Sequence, residues 1–156
     1  MARDPFRLIA QAQAAYARCI DDDRLEAWPD FFSESCVYKI TTAENFREGL
    51  EAGIIFANSR DMLRDRVSAL REANIYERQS YRHILGQPCI LSDDGAGVRC
   101  ETSFLVLRIV QDGDSTIYAS GRYLDVYAIR NDVAELNERI VVCDSSRIDT
   151  LLAIPL

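Results

Sequence analysis

His83 is the only histidine in the chain. An imidazole titrates near neutral pH, which makes it the first candidate for a general base. It stands in Tyr81-Arg82-His83-Ile84-Leu85. On a strand, Tyr81, His83 and Leu85 share one face while Arg82 and Ile84 share the other. No nucleophile or orienting acid is near it in sequence. Two readings therefore stand side by side: a base in a cavity, or a hydrogen-bonded histidine at a sheet face or subunit contact. The run Asp21-Asp22-Asp23 offers paired carboxylates if buried and a solvated helix stop if exposed. Tyr16, Tyr38, Tyr81 and Tyr123 bring either hydroxyl donors to a cavity or aromatic bulk to a core or interface.

Metal chemistry is more tightly bounded. The five cysteines, Cys19, Cys36, Cys89, Cys100 and Cys143, include no pair at CxxC spacing. A zinc site can draw on one histidine at most. A Rieske cluster needs two histidines and two cysteines, and a facial-triad iron needs two histidines. Neither can be assembled from this chain alone. The odd cysteine count, with no charged-then-apolar pattern at the N-terminus, reads as buried reduced thiols in a cytoplasmic protein.

The whole chain sets further limits. Its 156 residues are 48% hydrophobic and carry a net charge of −7. That length supports one core, and a single domain over residues 1–156 is expected. No apolar run is long enough for a transmembrane helix. An acidic surface repels phosphate backbones, so nucleic acid is not an expected partner. Seventeen of the eighteen cations are Arg and only Lys39 is Lys. That bias has a bland source in genome composition, and it also suits planar ion pairs inside interfaces.

The elements that must position these residues follow from local chemistry. Asp4 and Pro5 make a helix start, and Leu8, Ile9, Ala12, Tyr16, Cys19 and Ile20 recur at helical spacing until the aspartate run. A short helix from Arg24 carries Leu25 and Trp28 and is expected to break or kink at Pro29. Cys36 to Thr41 alternates as a strand. Asn58 or Ser59 caps a second helix whose apolar face is Met62, Leu63, Val67 and Leu70. Long strands are expected over Tyr81–Ser92, Val98–Asp112, Thr116–Arg130 and Ala134–Cys143, joined by Asp/Asn/Gly turns. Gly86, Pro88 and Gly121 interrupt them, as bulges do where a sheet curls. Helices followed by a meander of bent strands give an α+β domain. The expected form is a curved antiparallel sheet packed on N-terminal helices, the cystatin-like cone of nuclear transport factor 2 and its relatives. Enzymes on that cone place acid–base groups between helices and sheet. On this reading Asp21 or Asp22, Tyr38, His83 and Tyr123 would serve a dehydratase or isomerase.

The segment from Arg60 to Arg82 crowds arginine and tyrosine around one connection, and such residues anchor protein interfaces. Tyr76, Arg78, Tyr81, Arg82 and His83 are accordingly the expected subunit contacts. Arg66 to Arg71, Tyr76-Glu77-Arg78 and Tyr81 to Ile84 together resemble the small (β) subunits of bacterial aromatic-ring-hydroxylating dioxygenases. The resemblance extends through Trp28 to Phe32, Ser103 to Val106, Gly121 to Asp125 and Arg139 to Asp144, nearly the whole chain. It is strongest toward the small subunits of salicylate 5-hydroxylase and terephthalate dioxygenase. It implies a cone-fold, non-catalytic subunit paired with a large α subunit, commonly as α3β3, with self-association as a trimer. The Rieske [2Fe–2S] cluster and the mononuclear Fe(II) would lie in the α subunit. NADH would supply electrons through a reductase, with or without a ferredoxin. The implied substrate is an aromatic carboxylate, and no catalytic, cofactor or metal residue is implied in this chain.

Overall fold

The computed structural model describes residues 3–49, 53–73, 79–147 and 154–156. Helix α1 runs Pro5–Asp21, with the Asp4 carboxylate accepting from the Arg7 N–H at 3.2 Å. Its inward stripe includes Leu8, Ile9, Tyr16, Cys19 and Ile20. Asp23, at a φ of 59°, turns the chain out of the helix in a left-handed conformation. A 3-10 helix follows over Leu25–Phe31 and passes through Pro29 rather than breaking there. Proline lacks only its own N–H, and the tighter helix still closes with the Phe32 N–H donating to the Pro29 carbonyl.

Strand β1 spans Phe32–Thr42, beginning four residues earlier than the sequence alternation suggests. A short helix α2, Ala43–Arg47, and a short strand β2, Ile55–Ala57, carry too few residues to show a period. Helix α3, Arg60–Glu72, is capped by Ser59, and Asp61 pairs with Arg64 at 2.7 Å as the i,i+3 spacing allows. The remaining strands are β3 (Gln79–Leu85), β4 (Cys89–Asp93), β5 (Val98–Val110), β6 (Ser115–Arg130) and β7 (Val133–Cys143). What reads as one strand over Tyr81–Ser92 is thus two. Both pair with β5, and Gly86, Gln87 and Pro88 lie between them.

The sheet order is β2-β1-β7-β6-β5-β3, with β4 also on β5. Every pairing is antiparallel except β1 with β7, which is parallel. Asn131 and Asp132 both adopt positive φ, the two-residue turn whose twist suits the β6–β7 hairpin. Shifts in register at Val106/Leu107 and Val126/Tyr127 bend the sheet around the helices. Gly121 is not at a bulge. A Cβ there would lie 2.0 Å from the Val142 carbonyl oxygen, so glycine lets β7 approach β6.

Candidate functional site

The centre of the cone is an ion pair. Asp125 and Arg139 are register partners on β6 and β7, both pointing inward with fully buried side chains. Arg139 Nε and Nη2 donate to the two Asp125 carboxylate oxygens, each at 2.8 Å, in a bidentate fork. Nη2 also donates to the Tyr127 hydroxyl at 3.2 Å. Helix α1 contributes Gln13, whose amide nitrogen lies 3.0 Å from Thr102 Oγ1 and 3.4 Å from Asp125. The guanidinium lies between two rings, 4.3 Å from the Tyr16 centroid and 3.8 Å from that of Tyr123. Burial opposes the Arg139 charge, but Asp125 and the surrounding hydroxyls outweigh it and hold the pKa well above the ordinary arginine range.

Burial, helped by neighbouring phenols, thiols and Asp125, drives Tyr38, Tyr123 and Tyr127 well above the usual tyrosine range. At neutral pH these phenols keep their protons and do not act as bases. Tyr38 is moreover committed: its hydroxyl donates to the Leu156 carbonyl at 3.1 Å and accepts from the Leu156 N–H at 3.2 Å. Tyr123 therefore belongs to the aromatic wall around Arg139, and Tyr38 packs edge-on against Trp28 and Phe32.

Asp21 and His83 do come together. The last residue of α1 accepts from the His83 backbone N–H at 2.9 Å, and its other oxygen lies 2.7 Å from His83 Nδ1. The carboxylate orients the ring, with Nδ1 facing it. Both side chains are buried, and Nε2 meets no hydrogen-bond partner among the described residues. This contact fixes the end of α1 to β3. Asp22 is not part of it, being exposed and 3.7 Å from Arg24. Asp23 and Glu26 instead hold Arg71 of α3. Among the described residues no three His, Cys, Asp or Glu side chains gather as metal ligands. The donor set thus does not fit a Rieske cluster or a mononuclear iron.

The comparison with known proteins is decisive about kinship. Residues 15–150 match the family model described as the ring hydroxylating beta subunit. The chain belongs to that family. It is 53% identical over 148 residues to terephthalate 1,2-dioxygenase terminal oxygenase component subunit beta 1 of Comamonas sp, covering 95% of this chain and 96% of that one. It is 38% identical to the anthranilate 1,2-dioxygenase small subunit of Burkholderia cepacia, covering 95% and 92%. In structure it superposes with a TM-score of 0.90 and 38% identity on a β subunit from Novosphingobium aromaticivorans DSM 12444 assigned to an aromatic-ring-hydroxylating dioxygenase, covering 97% of both chains. The cone fold and the place in a ring-hydroxylating oxygenase expected from the sequence are both borne out.

A β subunit works through its surface, and one part of this surface stands out. On the outer face of the sheet Ile84 pairs with Leu105, and Leu107 pairs with both Arg82 and Ile117. Four aliphatic side chains thus lie side by side across β3, β5 and β6, with Ile84 51% and Ile117 71% exposed. Of the expected contact residues, Arg82 points outward beside this patch, whereas Tyr81 and His83 point into the cone. Tyr76 and Arg78 lie outside the described residues. The aliphatic patch itself was missed in the sequence, although its signal is present: Ile84, Leu105 and Ile117 break the alternation of apolar-inside and polar-outside.

Proposed function

We propose that this chain is the non-catalytic β subunit of a multicomponent oxygenase that hydroxylates an aromatic carboxylate in the cytoplasm. The observation that carries the reading is the outer patch of Ile84, Leu105, Leu107 and Ile117, an aliphatic surface on a chain of the β-subunit family. Exposed apolar ladders of this kind mark protein contacts. The near-full-length likeness to a terephthalate 1,2-dioxygenase subunit supports an aromatic carboxylate as the substrate class.

In this reading a large α subunit holds the Rieske [2Fe–2S] cluster and the mononuclear Fe(II). A reductase passes it electrons from NADH. The assembly is α3β3 with a β trimer at its base. The β chain contributes shape and rigidity, with Arg82 at the rim of the aliphatic patch and Tyr76 and Arg78 completing the contact. Tyr81 and His83 support that contact from beneath, through the strand that carries Arg82.

The test is co-expression with the large subunit of a ring-hydroxylating oxygenase from the same host, followed by native mass spectrometry. Equal copies of the two chains are expected from the unaltered protein. Ile117→Asp and Ile84→Asp should abolish that assembly while the far-ultraviolet circular dichroism of the variant chain stays unchanged. Full assembly of both variants would refute the assignment of this face.

A further inference from the structure

The interior of the cone is filled in part by the chain's own segment Ile154-Pro155-Leu156, all three residues buried. The segment is held through its backbone, as a ligand would be. The Leu156 carbonyl accepts from the Tyr16 hydroxyl at 2.8 Å and from the Tyr38 hydroxyl at 3.1 Å, and the Leu156 N–H returns a bond to Tyr38. The Leu156 side chain is completely buried in a core whose aromatic members surround those two tyrosines. Phe31, Phe32 and Tyr123 stack edge-on against Tyr16, and Trp28 and Phe32 do so against Tyr38.

Among the described residues, Tyr123 Oη and Arg139 Nη1 are buried without a hydrogen-bond partner. The Trp28 N–H approaches the Tyr16 hydroxyl closely enough to lower its pKa, though burial dominates and the net shift is upward. A site with aromatic walls and unused donors favours a molecule with an apolar body and an acceptor head. An entrance is also in place. Ile154 forms part of the wall of a surface cleft of about 280 Å³, together with Asp21, Leu70 and Tyr81. The segment therefore runs from that cleft to the centre of the cone.

We infer that residues 154–156 are an intramolecular ligand occupying a binding site for a small aromatic or branched aliphatic carboxylate. The inference rests on the interior alone and is independent of the assembly reading. While the segment is seated, the β subunit excludes such molecules. When it is withdrawn, the cleft and the cone join into one donor-lined site, with Tyr16 and Tyr38 receiving the carboxylate where they now hold the Leu156 main-chain oxygen.

The experiment compares the full chain with a chain stopped after Ala153, titrating each with benzoate. Trp28 is the only tryptophan and is buried against Tyr38, so its fluorescence reports the site. Benzoate should change the emission and raise the melting temperature of the shortened chain in a saturable way, and leave the full chain unchanged. In the shortened chain, Tyr16→Phe and Tyr38→Phe should each weaken benzoate about 3- to 10-fold, the effect of one lost hydrogen bond. Toluene should bind more weakly than benzoate. A folded shortened chain that ignores benzoate, or a full chain that binds it equally, would overturn the inference. Should the shortened chain be unfolded by itself, the same titration reads folding. Recovery of native circular dichroism by benzoate supports an intramolecular ligand, and no recovery at tens of millimolar refutes it.

Discussion

Asp125→Asn is the sharpest probe of what holds the cone together. The carboxylate takes two 2.8 Å hydrogen bonds from a guanidinium that no solvent reaches. Arg139 Nη1 already lacks an acceptor among the described residues, and in the variant the amide oxygen can accept only one of the two guanidinium bonds while the amide nitrogen, itself a donor, faces the other. Removing one partner of such a pair strands a buried charge, at a cost of about 3–5 kcal/mol. Against a total stability of roughly 5–15 kcal/mol that is a large share. It corresponds to a drop in melting temperature of about 6–20 °C. Urea unfolding of the isolated chain measures it as a fall in midpoint at constant m-value. Arg139→Met should be similarly damaging, because Asp125 would keep only the 3.4 Å contact with Gln13. The double variant Asp125→Leu, Arg139→Met removes both charges and should be less destabilised than either single change. A loss below about 1 kcal/mol for Asp125→Asn, or a double variant worse than both singles, would show that the ion pair is not what the core is balanced around.

Three further outcomes follow from the same interior. Burial pushes the thiols of Cys100 and Cys143 up to about 12 and raises those of Cys19 and Cys36, whereas Cys89 is exposed. Ellman's reagent at pH 8 should therefore titrate one fast thiol, lost in Cys89→Ser, with the other four appearing only on unfolding. These raised thiols, with Tyr38, Tyr123 and Tyr127, keep their protons in the folded chain after the unfolded chain has lost them. Stability should accordingly be flat up to about pH 9 and fall as pH rises beyond it. A denaturation midpoint that climbs between pH 9 and 11 would contradict the burial described. Gly121→Ala places a methyl carbon 2.0 Å from the Val142 carbonyl oxygen, so the variant should fail to accumulate as soluble protein in expression trials.

Much of the fold was legible because its signals are local. The Asp4–Pro5 start, the Ser59 cap and the Asn131-Asp132 turn are each decided by a few adjacent residues. The parallel β1–β7 pairing was not legible, since alternation within Cys36–Thr41 says nothing of which distant strand receives it. The short elements α2 and β2 escaped for want of length. In the interior, Asp21 or Asp22 was named in one acid–base set with His83, but only the fold chooses Asp21 and reveals its 2.7 Å contact across a sequence separation of 62. Asp125 and Arg139 were passed over as functional candidates. A charged residue at an inward position on each of two adjacent strands was the available clue, and the register needed to pair them becomes visible only once the hairpin is built.

The position of β1 in the sheet also governs when the molecule can close. Strands β5, β6 and β7 pair as a meander of near neighbours in the chain, while β1 waits for β7. The bond from Tyr16 to Leu156 spans a sequence separation of 140. Such distant pairings raise contact order and slow folding. During synthesis on the ribosome, β1 and its attached β2 must therefore remain without their permanent neighbour until residue Cys143 has emerged. The nascent chain thus carries one open edge of β1 for most of its translation.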